Sequence, residues 1–257
     1  MLRTLWQDLR RAIISRRFLL AVMGAAALYV ISVYDLGLGQ AIRWGNKRHL
    51  LDYLGDAQKV ALMDLLPFAA VIPFGAGFAE DWEFHAHHYL IARTGSRSYR
   101  LSKIVAGAAS GGLVMAFSML LFLLAALPFS ELEPAAVSTF IPYMDDIVRE
   151  GQWVSYFSFQ LALAFIYGAL WASASMLLSV MTASRSMIFA VPVLFNGVLN
   201  RIAYLLQVPG LYAVSFGMVE AQSPLGAFML CSGILLIPTL IFAILFLRLS
   251  KRRLKDA

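Results

Sequence analysis

Apolar residues along the chain fall into six runs that are long enough, or nearly long enough, to cross a bilayer as helices. A membrane-spanning helix needs about 20 mostly apolar residues, because each residue adds only about 1.5 Å to its length. The runs cover residues 18–34, 60–78, 104–127, 156–180, 187–206 and 226–247. The pattern predicts an all-α, polytopic membrane protein in which residues 18–247 form a domain of six transmembrane helices.

The second run contains residues that interrupt helices, namely Pro67, Pro73, Gly75 and Gly77. Proline removes a backbone donor and disfavours the helical conformation of the residue before it. We expect neighbouring helices to satisfy the backbone groups that are freed inside the membrane.

Before the first run, residues 1–17 show the spacing of an amphipathic helix. The apolar side chains recur three or four residues apart, and they are Leu2, Leu5, Trp6, Leu9 and Ile13. Arginines and other polar residues occupy the remaining positions. The pattern predicts a helix that lies in the membrane interface, with the tryptophan at the depth of the lipid headgroups.

The composition agrees with a membrane protein, since 60% of the 257 residues are hydrophobic and 14% are charged. Soluble domains carry about 25% charged residues. The net charge is +6, and the charges gather at the ends of the apolar runs. We interpret them as determinants of orientation and as contacts with anionic lipids, and not as a nucleic-acid surface.

The distribution of Lys and Arg predicts the orientation. Fifteen lie in the N-terminal segment, the segment after the second run, the short loop at Arg185 and the basic tail 248–257, and six lie in the other connections. Cytoplasmic segments carry the excess of basic residues. Both termini are therefore predicted to be cytoplasmic in the plasma membrane, which agrees with an even number of spans.

Residues 80–103 form the most informative connection. Glu80, Asp81 and Glu83 suit the start of a short helix, Arg93 suits its end, and Gly95 is placed to terminate it. Ser96 is expected to cap the next helix, which enters the membrane. The residues predicted to share one face for protein docking are Trp82, Ala86, Tyr89 and Leu90.

Few residues of the chain suit metal binding or catalysis. His85, His87 and His88 are close in sequence, but the chain has only 4 His and 1 Cys, so polar surface histidines are predicted in preference to a metal site. Cys231 lies inside an apolar run and has no partner for a disulfide. The chain lacks a phosphate-binding loop, a dinucleotide fingerprint and a nucleophile elbow. We therefore predict that it is not an enzyme.

Two ionisable residues fall within the runs. Asp64 and Arg201 are predicted to lie about 6 to 8 Å below the outer ends of their helices, where they could pair; Asn196 and Asn200 could extend a polar path. The alternative is that Arg201 reaches the outer headgroups and Asp64 faces external water. Breaking a pair is costly, because an unpaired charge at a helix centre costs about 2.5 to 3.5 kcal/mol on insertion scales.

Small residues four apart mark two further faces. Gly107 and Gly111 lie in the third run, and Gly168 and Ala172 lie in the fourth. Small side chains allow helix backbones to approach closely in a membrane. Each pair is a possible helix interface.

Residues 78–103 resemble the ABC type-2 exporter permease family. The matching features are an acidic pair after the second span, a short helix, a Ser-Arg-x-Tyr segment and a lysine before the third span. They are represented here by Glu80, Asp81, Ser96, Arg97, Tyr99 and Lys103. The chain departs from the family around Phe84 and His85, where members usually have a glycine.

The resemblance implies a permease that pairs with a second permease, either a homodimer or a paralogue. A separate ATP-binding subunit, which holds ATP and Mg, would dock on residues 80–103 and drive export of a hydrophobic or amphipathic substrate. The residues implied in that coupling are Glu80, Asp81, Trp82, Glu83, Tyr89, Leu90 and Arg93. The sequence leaves two alternatives open: a secondary transporter without an ATPase, and a membrane-embedded enzyme or scaffold.

Overall fold

The computed structural model describes residues 2–59, 64–131, 153–182, 184–206 and 224–254. Helices dominate it, as predicted. Within the described residues, four helices are long and apolar enough to cross a membrane, and they cover Arg16–Trp44, Ser96–Phe129, Val154–Met181 and Phe228–Arg253. They match the predicted first, third, fourth and sixth spans, and they indicate a multi-pass membrane protein.

The first span is preceded by α1 (Leu2–Ile13) and begins as α2 (Arg16–Val33). Ser15 separates the two helices and caps α2, because its Oγ accepts a hydrogen bond from the backbone N–H of Phe18 at 3.1 Å. A π-helical turn (Tyr34–Leu38) and α3 (Gly39–Trp44) continue the span. Gly37 in that turn has φ +151°, a conformation that side chains disfavour.

α1 packs against the rest of the protein through a face that the pattern of its apolar residues does not predict. Thr4, Asp8 and Ala12 are buried at a spacing of four residues, and they lie against the third span. Trp6 is 68% exposed on another side of the helix. The helix therefore contacts the protein through Thr4, Asp8 and Ala12, with Leu9 partly buried beside them, and its tryptophan faces outward.

The connection after the first span contains more structure than the sequence indicated. Strand β1 (Arg48–His49) pairs in parallel with β2 (Ser130–Glu131), which follows the third span. Helix α4 (Leu50–Lys59) comes next. It buries Leu50, Leu51, Leu54 and Ala57 against α2 and the third span. This apolar stripe at helical spacing lies among polar residues, so average hydrophobicity concealed it.

The predicted second span is not one continuous helix in the described residues. Its start, residues 60–63, lies outside them. The remainder consists of α5 (Leu66–Val71), a turn, and α6 (Gly77–Glu83). The turn supplies its own hydrogen bonds, from Gly75 N–H to the Val71 carbonyl at 2.8 Å and from Gly77 N–H to the Phe74 carbonyl at 2.9 Å. These bonds satisfy two amide groups of the turn within the segment itself.

A second break separates α6 from α7 (Ala86–Thr94). His85 between them has φ +53°, which is rare outside glycine. The single short helix predicted for this segment is therefore two helices. Gly95, with φ +80°, ends α7 as predicted. It also precedes α8 (Ser96–Ala126) directly, so Ser96 is the first helical residue and not the cap that was predicted.

The centre of the bundle is the contact of α8 with α9 (Trp153–Met181). Gly111 and Gly168 face each other there. A Cβ at Gly168 would lie 2.2 Å from the Gly111 carbonyl oxygen, and a Cβ at Gly111 would lie 2.5 Å from the Ala172 Cβ. The predicted small-residue faces therefore pack against each other.

Two helices complete the described chain. α10 (Arg185–Leu206) contains 22 residues and corresponds to the predicted fifth span, although it is not among the four described helices that are both long and apolar enough to cross a membrane. α11 (Pro224–Arg253) packs along α9, with Phe228 stacked on Phe159 at 4.9 Å between ring centres. α11 continues as helix into the predicted basic tail and ends at Arg253.

Candidate functional site

Lys103, on the second turn of α8, is fully buried. Its Nζ lies 2.6 Å from Asp81 Oδ2 and 3.1 Å from Asp8 Oδ1. The ammonium also lies 4.9 Å from the centre of the Phe74 ring, within the range of a cation–π contact. A buried ammonium requires such partners, since an unpaired charge in a protein interior is strongly unfavourable.

Two hydroxyl groups complete the arrangement. Tyr99 donates to Asp81 Oδ2 at 3.1 Å, and Ser102 donates to Asp8 Oδ2 at 2.7 Å. We call Asp8, Asp81, Tyr99, Ser102 and Lys103 the Lys103 cluster. It joins three segments that are distant in sequence: the interfacial helix α1, helix α6 and the start of α8.

Two arginines add ion pairs at the solvent edge of the cluster. Arg11 Nη1 lies 3.2 Å from Asp81 Oδ1, and Arg17 Nη1 lies 2.6 Å from Glu80 Oε1. Both arginine side chains are more than half exposed. Exposed pairs of this kind contribute little to stability, so the buried lysine is the principal link between these helices.

Trp82 packs between the His87 ring and the Arg253 guanidinium and does not lie on an open surface. The His87 ring stacks on the indole at 4.2 Å between ring centres, with an interplanar angle of 8°. The Arg253 guanidinium lies 4.5 Å from the centre of the indole, within the range of a cation–π contact. Arg253 also donates to the Val180 carbonyl. These contacts fix the end of α11 against α6 and α9.

The residues implied in docking therefore separate into two groups. Asp81 is 2% exposed, Glu80 pairs with Arg17, and Trp82 and Leu90 pack against the core. The residues that reach solvent are Glu83, Tyr89 and Arg93. Trp82 on α6 does not share the face that Ala86, Tyr89 and Leu90 form on α7, because the break at His85 changes the direction of the helix.

Phe84 is an exposed aromatic residue that the sequence did not single out. It is 69% exposed, the same fraction as Tyr89. Glu83 beside it pairs with Arg185 at 2.6 Å. We call Glu83, Phe84, Tyr89 and Arg93 the α6–α7 surface. The left-handed backbone at His85 accompanies this exposure, and no sequence pattern predicts that conformation for histidine.

The three histidines do not assemble a metal site. His87 is 3% exposed, whereas His85 and His88 are exposed. In the part of the chain that the structure describes, no group of three or more His, Cys, Asp or Glu could hold a metal ion. The prediction of polar surface histidines fits His85 and His88 and was wrong for His87.

Acidification is expected to destabilise the packing around His87. Burial lowers the pKa of its imidazole below the ordinary 6.5, with smaller contributions from His88 and His85, while the Asp81 carbonyl opposes the shift. Nδ1 lies 3.3 Å from that carbonyl and acts as donor, so a second proton must go to Nε2, which is buried without a partner among the described residues.

Because the folded pKa is lowered, the unfolded chain binds more protons below pH about 6.5. The contribution of His87 to the free energy of unfolding is therefore fully present above about pH 6.5 and is lost as the pH falls. Thermal unfolding of the purified protein between pH 7.5 and 5 measures it. We expect a His87→Phe variant, which keeps an aromatic ring on Trp82, to lose part of the pH dependence that His88→Gln retains. Equal pH dependence in both variants would contradict this assignment.

A second polar group lies within the bundle. Asp64 Oδ1 accepts hydrogen bonds from Asn196 Nδ2 at 3.2 Å and from Asn200 Nδ2 at 2.5 Å. The Tyr167 hydroxyl donates to Asn196 Oδ1 at 2.9 Å. We call these four residues the Asp64 cluster. The sequence predicted the asparagines as an extension of a polar path, and it missed the tyrosine.

The Asp64 cluster lies at the middle of α9 and in the second half of α10. Tyr167 is the middle residue of α9. Asn200 and Asn196 precede Leu206 by six and ten residues, which corresponds to about 9 and 15 Å from that end of α10. The depth predicted for Asp64 was counted from residue 60, which lies outside the described residues, so it stays a prediction.

The predicted pairing of Asp64 with Arg201 does not form within one copy of the chain. Arg201 is exposed, and no ion pair joins it to Asp64 among the described residues. The carboxylate is bound by the two asparagine amides instead. The arginine follows Asn200 directly and lies one residue nearer the end of α10.

Comparison with known proteins finds no family model that matches the chain, and no curated protein or solved structure that matches it. The Lys103 cluster, the α6–α7 surface and the Asp64 cluster are therefore the basis on which its function is inferred.

Proposed function

We propose that the chain is the permease subunit of an ABC exporter that moves a hydrophobic or amphipathic substrate outward. A separate ATP-binding subunit supplies the energy and holds ATP and Mg, since no phosphate-binding loop occurs in this chain. The Lys103 cluster is the observation that supports this proposal most directly. It provides a stiff connection between a surface that a partner can displace and a helix that crosses the membrane.

The connection can be followed residue by residue. The α6–α7 surface begins at Glu83, two residues after Asp81. Asp81 binds Lys103, and Lys103 lies on α8, the helix that makes the largest contact in the bundle. A force on the surface therefore reaches α8 through a buried ion pair, and reaches α1 through Asp8. Buried networks of this kind resist deformation because partial separation leaves charges unpaired.

The proposed topology has six spans. α10 and the segment from Asp64 to Glu83 supply the two spans beyond the four helices that are long and apolar enough to cross a membrane. The segments that the charge distribution assigns to one side lie together: α1 contacts α6, Arg185 contacts Glu83, and Arg253 contacts Trp82. This supports a cytoplasmic location for both termini, and we place the chain in the plasma membrane.

The proposed assembly contains two permeases, either two copies of this chain or this chain and a paralogue. Each permease would present its α6–α7 surface to one ATP-binding subunit. Phe84 and Tyr89 are the aromatic anchors, and Glu83 and Arg93 provide charges of opposite sign beside them. Aromatic residues contribute a large share of the binding energy in protein interfaces.

Truncating both aromatic anchors is expected to weaken assembly. In the variant Phe84→Ala with Tyr89→Ala, the affinity for the ATP-binding protein that co-purifies with the wild type should fall about tenfold or more. Co-purification from membranes and stimulated ATP hydrolysis measure the loss. Both side chains are 69% exposed, so the variant should remain inserted and folded.

The matched control is Trp44→Ala, which removes an aromatic side chain that is 82% exposed at the end of α3. The proposed topology places Trp44 on the outer side, so this variant should bind the partner normally. Full recruitment and hydrolysis with the double variant would contradict docking at the α6–α7 surface. Failure of any ATP-binding protein to co-purify with the wild type would contradict the exporter itself.

A secondary transporter is the second proposal, and the Asp64 cluster is the observation that favours it. A carboxylate deep in a membrane domain is a common feature of ion-coupled transport. Uptake or export by the purified chain alone, driven by a proton or sodium gradient in liposomes, would decide for it. Under the exporter proposal the chain alone should transport nothing.

A further inference from the structure

We propose that the Asp64 cluster binds a protonated primary amine carried by an otherwise apolar molecule. As a substrate site, it rests on the proposed export function and narrows it to amphipathic amines. Four observations support it: the orientation of the two asparagine amides, the absence of a paired cation among the described residues, the small number of oxygen ligands, and the glycine that faces Asp64 Oδ2.

The two asparagine amides direct their NH₂ groups at one oxygen of the Asp64 carboxylate. The Tyr167 hydroxyl donates to Asn196 Oδ1, so the NH₂ group of Asn196 faces Asp64 Oδ1. Asn200 directs its own NH₂ group to the same oxygen. Two donors on one oxygen stabilise negative charge there. They also leave Oδ2 without a hydrogen bond from the residues that the structure describes.

The positive charge that such a carboxylate requires is not provided by the described part of the chain. Arg201 is the nearest basic residue along α10, and it is exposed and does not pair with Asp64. Ionised groups within membrane domains are usually paired or contact a ligand. The cluster is therefore suited to a cation that arrives from outside the chain.

An ammonium group fits the available ligands better than a metal ion. Oδ1 is already surrounded by N–H donors, which repel a metal cation. The free acceptors are Asp64 Oδ2 and the amide oxygen of Asn200, for which no donor lies among the described residues. Ca²⁺ takes six to eight oxygen ligands and Mg²⁺ takes six, whereas an ammonium has three N–H donors. Two acceptors therefore satisfy two of the three N–H groups of an ammonium.

Gly197 faces Asp64 Oδ2, and apolar side chains follow Asp64 along the same segment. A Cβ at Gly197 would lie 3.9 Å from Oδ2, so among the described residues this position leaves the oxygen uncovered. Leu65 and Phe68, on the Asp64 segment, are 44% and 46% exposed. Phe68 packs edge-on against Phe189 of α10, with 5.9 Å between ring centres. A molecule with an ammonium at Oδ2 can lay its apolar part along these side chains.

Binding of monodansylcadaverine tests the proposal. This fluorescent probe combines a primary alkylamine with an aromatic ring, and its N-acetylated form is neutral and nearly the same shape. The full-length protein is placed in nanodiscs of neutral phosphatidylcholine. We expect saturable binding of the amine and binding about tenfold weaker or more for the acetylated form.

Three variants locate the site. Asp64→Asn keeps the shape and the hydrogen bonds to Oδ1 but removes the charge, and Gly197→Leu keeps the charge but covers Oδ2. Both should weaken binding of the amine about tenfold or more. Gly233→Leu is the control, since nothing lies within 4 Å of a Cβ there, and it should bind as the wild type does.

Equal binding of the amine by the wild type and by Asp64→Asn would overturn the proposal. So would release of the probe by sodium chloride but not by choline chloride at the same ionic strength, because it would identify an inorganic cation site. The measurement needs no ATP-binding subunit. Loss of probe binding therefore leaves the exporter proposal standing, and failure to recruit an ATPase leaves the amine site standing.

Discussion

Gly168→Ala is expected to prevent stable folding, although alanine is the better helix former. The added Cβ would lie 2.2 Å from the carbonyl oxygen of Gly111 and 2.7 Å from its carbonyl carbon. These are backbone atoms of α8, so no side chain can rotate away, and the two central helices must separate. Overpacking costs about 1 to 3 kcal/mol where side chains yield. We expect a larger loss in the free energy of unfolding here.

The control for this prediction is the same substitution where space is free. Gly24 in α2 and Gly233 in α11 have nothing within 4 Å of an added Cβ. Alanine there should stabilise its helix by up to about 1 kcal/mol. Unfolding in mixed micelles, followed by circular dichroism, measures all three variants. Equal stability of Gly168→Ala and Gly24→Ala would contradict the close contact of α8 with α9.

Lys103→Met is expected to have the second largest effect. Methionine has nearly the volume of the lysine side chain, but it leaves Asp8 and Asp81 without their shared cation in a buried position. Removing one member of a buried ion pair costs about 3 to 5 kcal/mol. The loss should appear in the free energy of unfolding, and α1 should become accessible to protease.

Two further variants separate charge from packing. The double variant Lys103→Met with Asp81→Asn should be more stable than the sum of the two single effects predicts. The second change removes one of the two carboxylates that have lost the lysine. Arg185→Met breaks the exposed pair with Glu83 and should leave stability unchanged. A Lys103→Met protein as stable as the wild type would show that the buried lysine does not hold these helices together.

The sequence predicted the elements whose signal is local. Long apolar runs located the helices that cross the membrane, and Gly95 marked the end of α7. The glycines at 107, 111 and 168 marked the central contact, because only small residues permit it. Asn196, Asn200 and Asp64 were predicted to lie along one polar path, since helical spacing places the asparagines on one face.

The features that were missed depend on tertiary contacts. Glu80, Asp81 and Glu83 are equivalent in a sequence, and only packing against α8 shows that Asp81 alone is buried. Lys103 precedes an apolar run, where a lysine usually extends to the interface, yet here it lies inside. The left-handed backbone at His85 has no signal in the residue type, so the exposure of Phe84 could not be predicted.

The parallel pairing of β1 with β2 limits how this end of the bundle can open. Arg48 is paired with Ser130 and His49 with Glu131, and the Tyr53 hydroxyl donates to the Phe129 carbonyl at 3.5 Å. These bonds tie the start of α4 to the end of α8. A motion that parts α4 from α8 must first break them, whereas α10 is not part of this strand pair. Under the exporter proposal, a path to the outside would therefore open by movement of α10 while the strand pair stays intact.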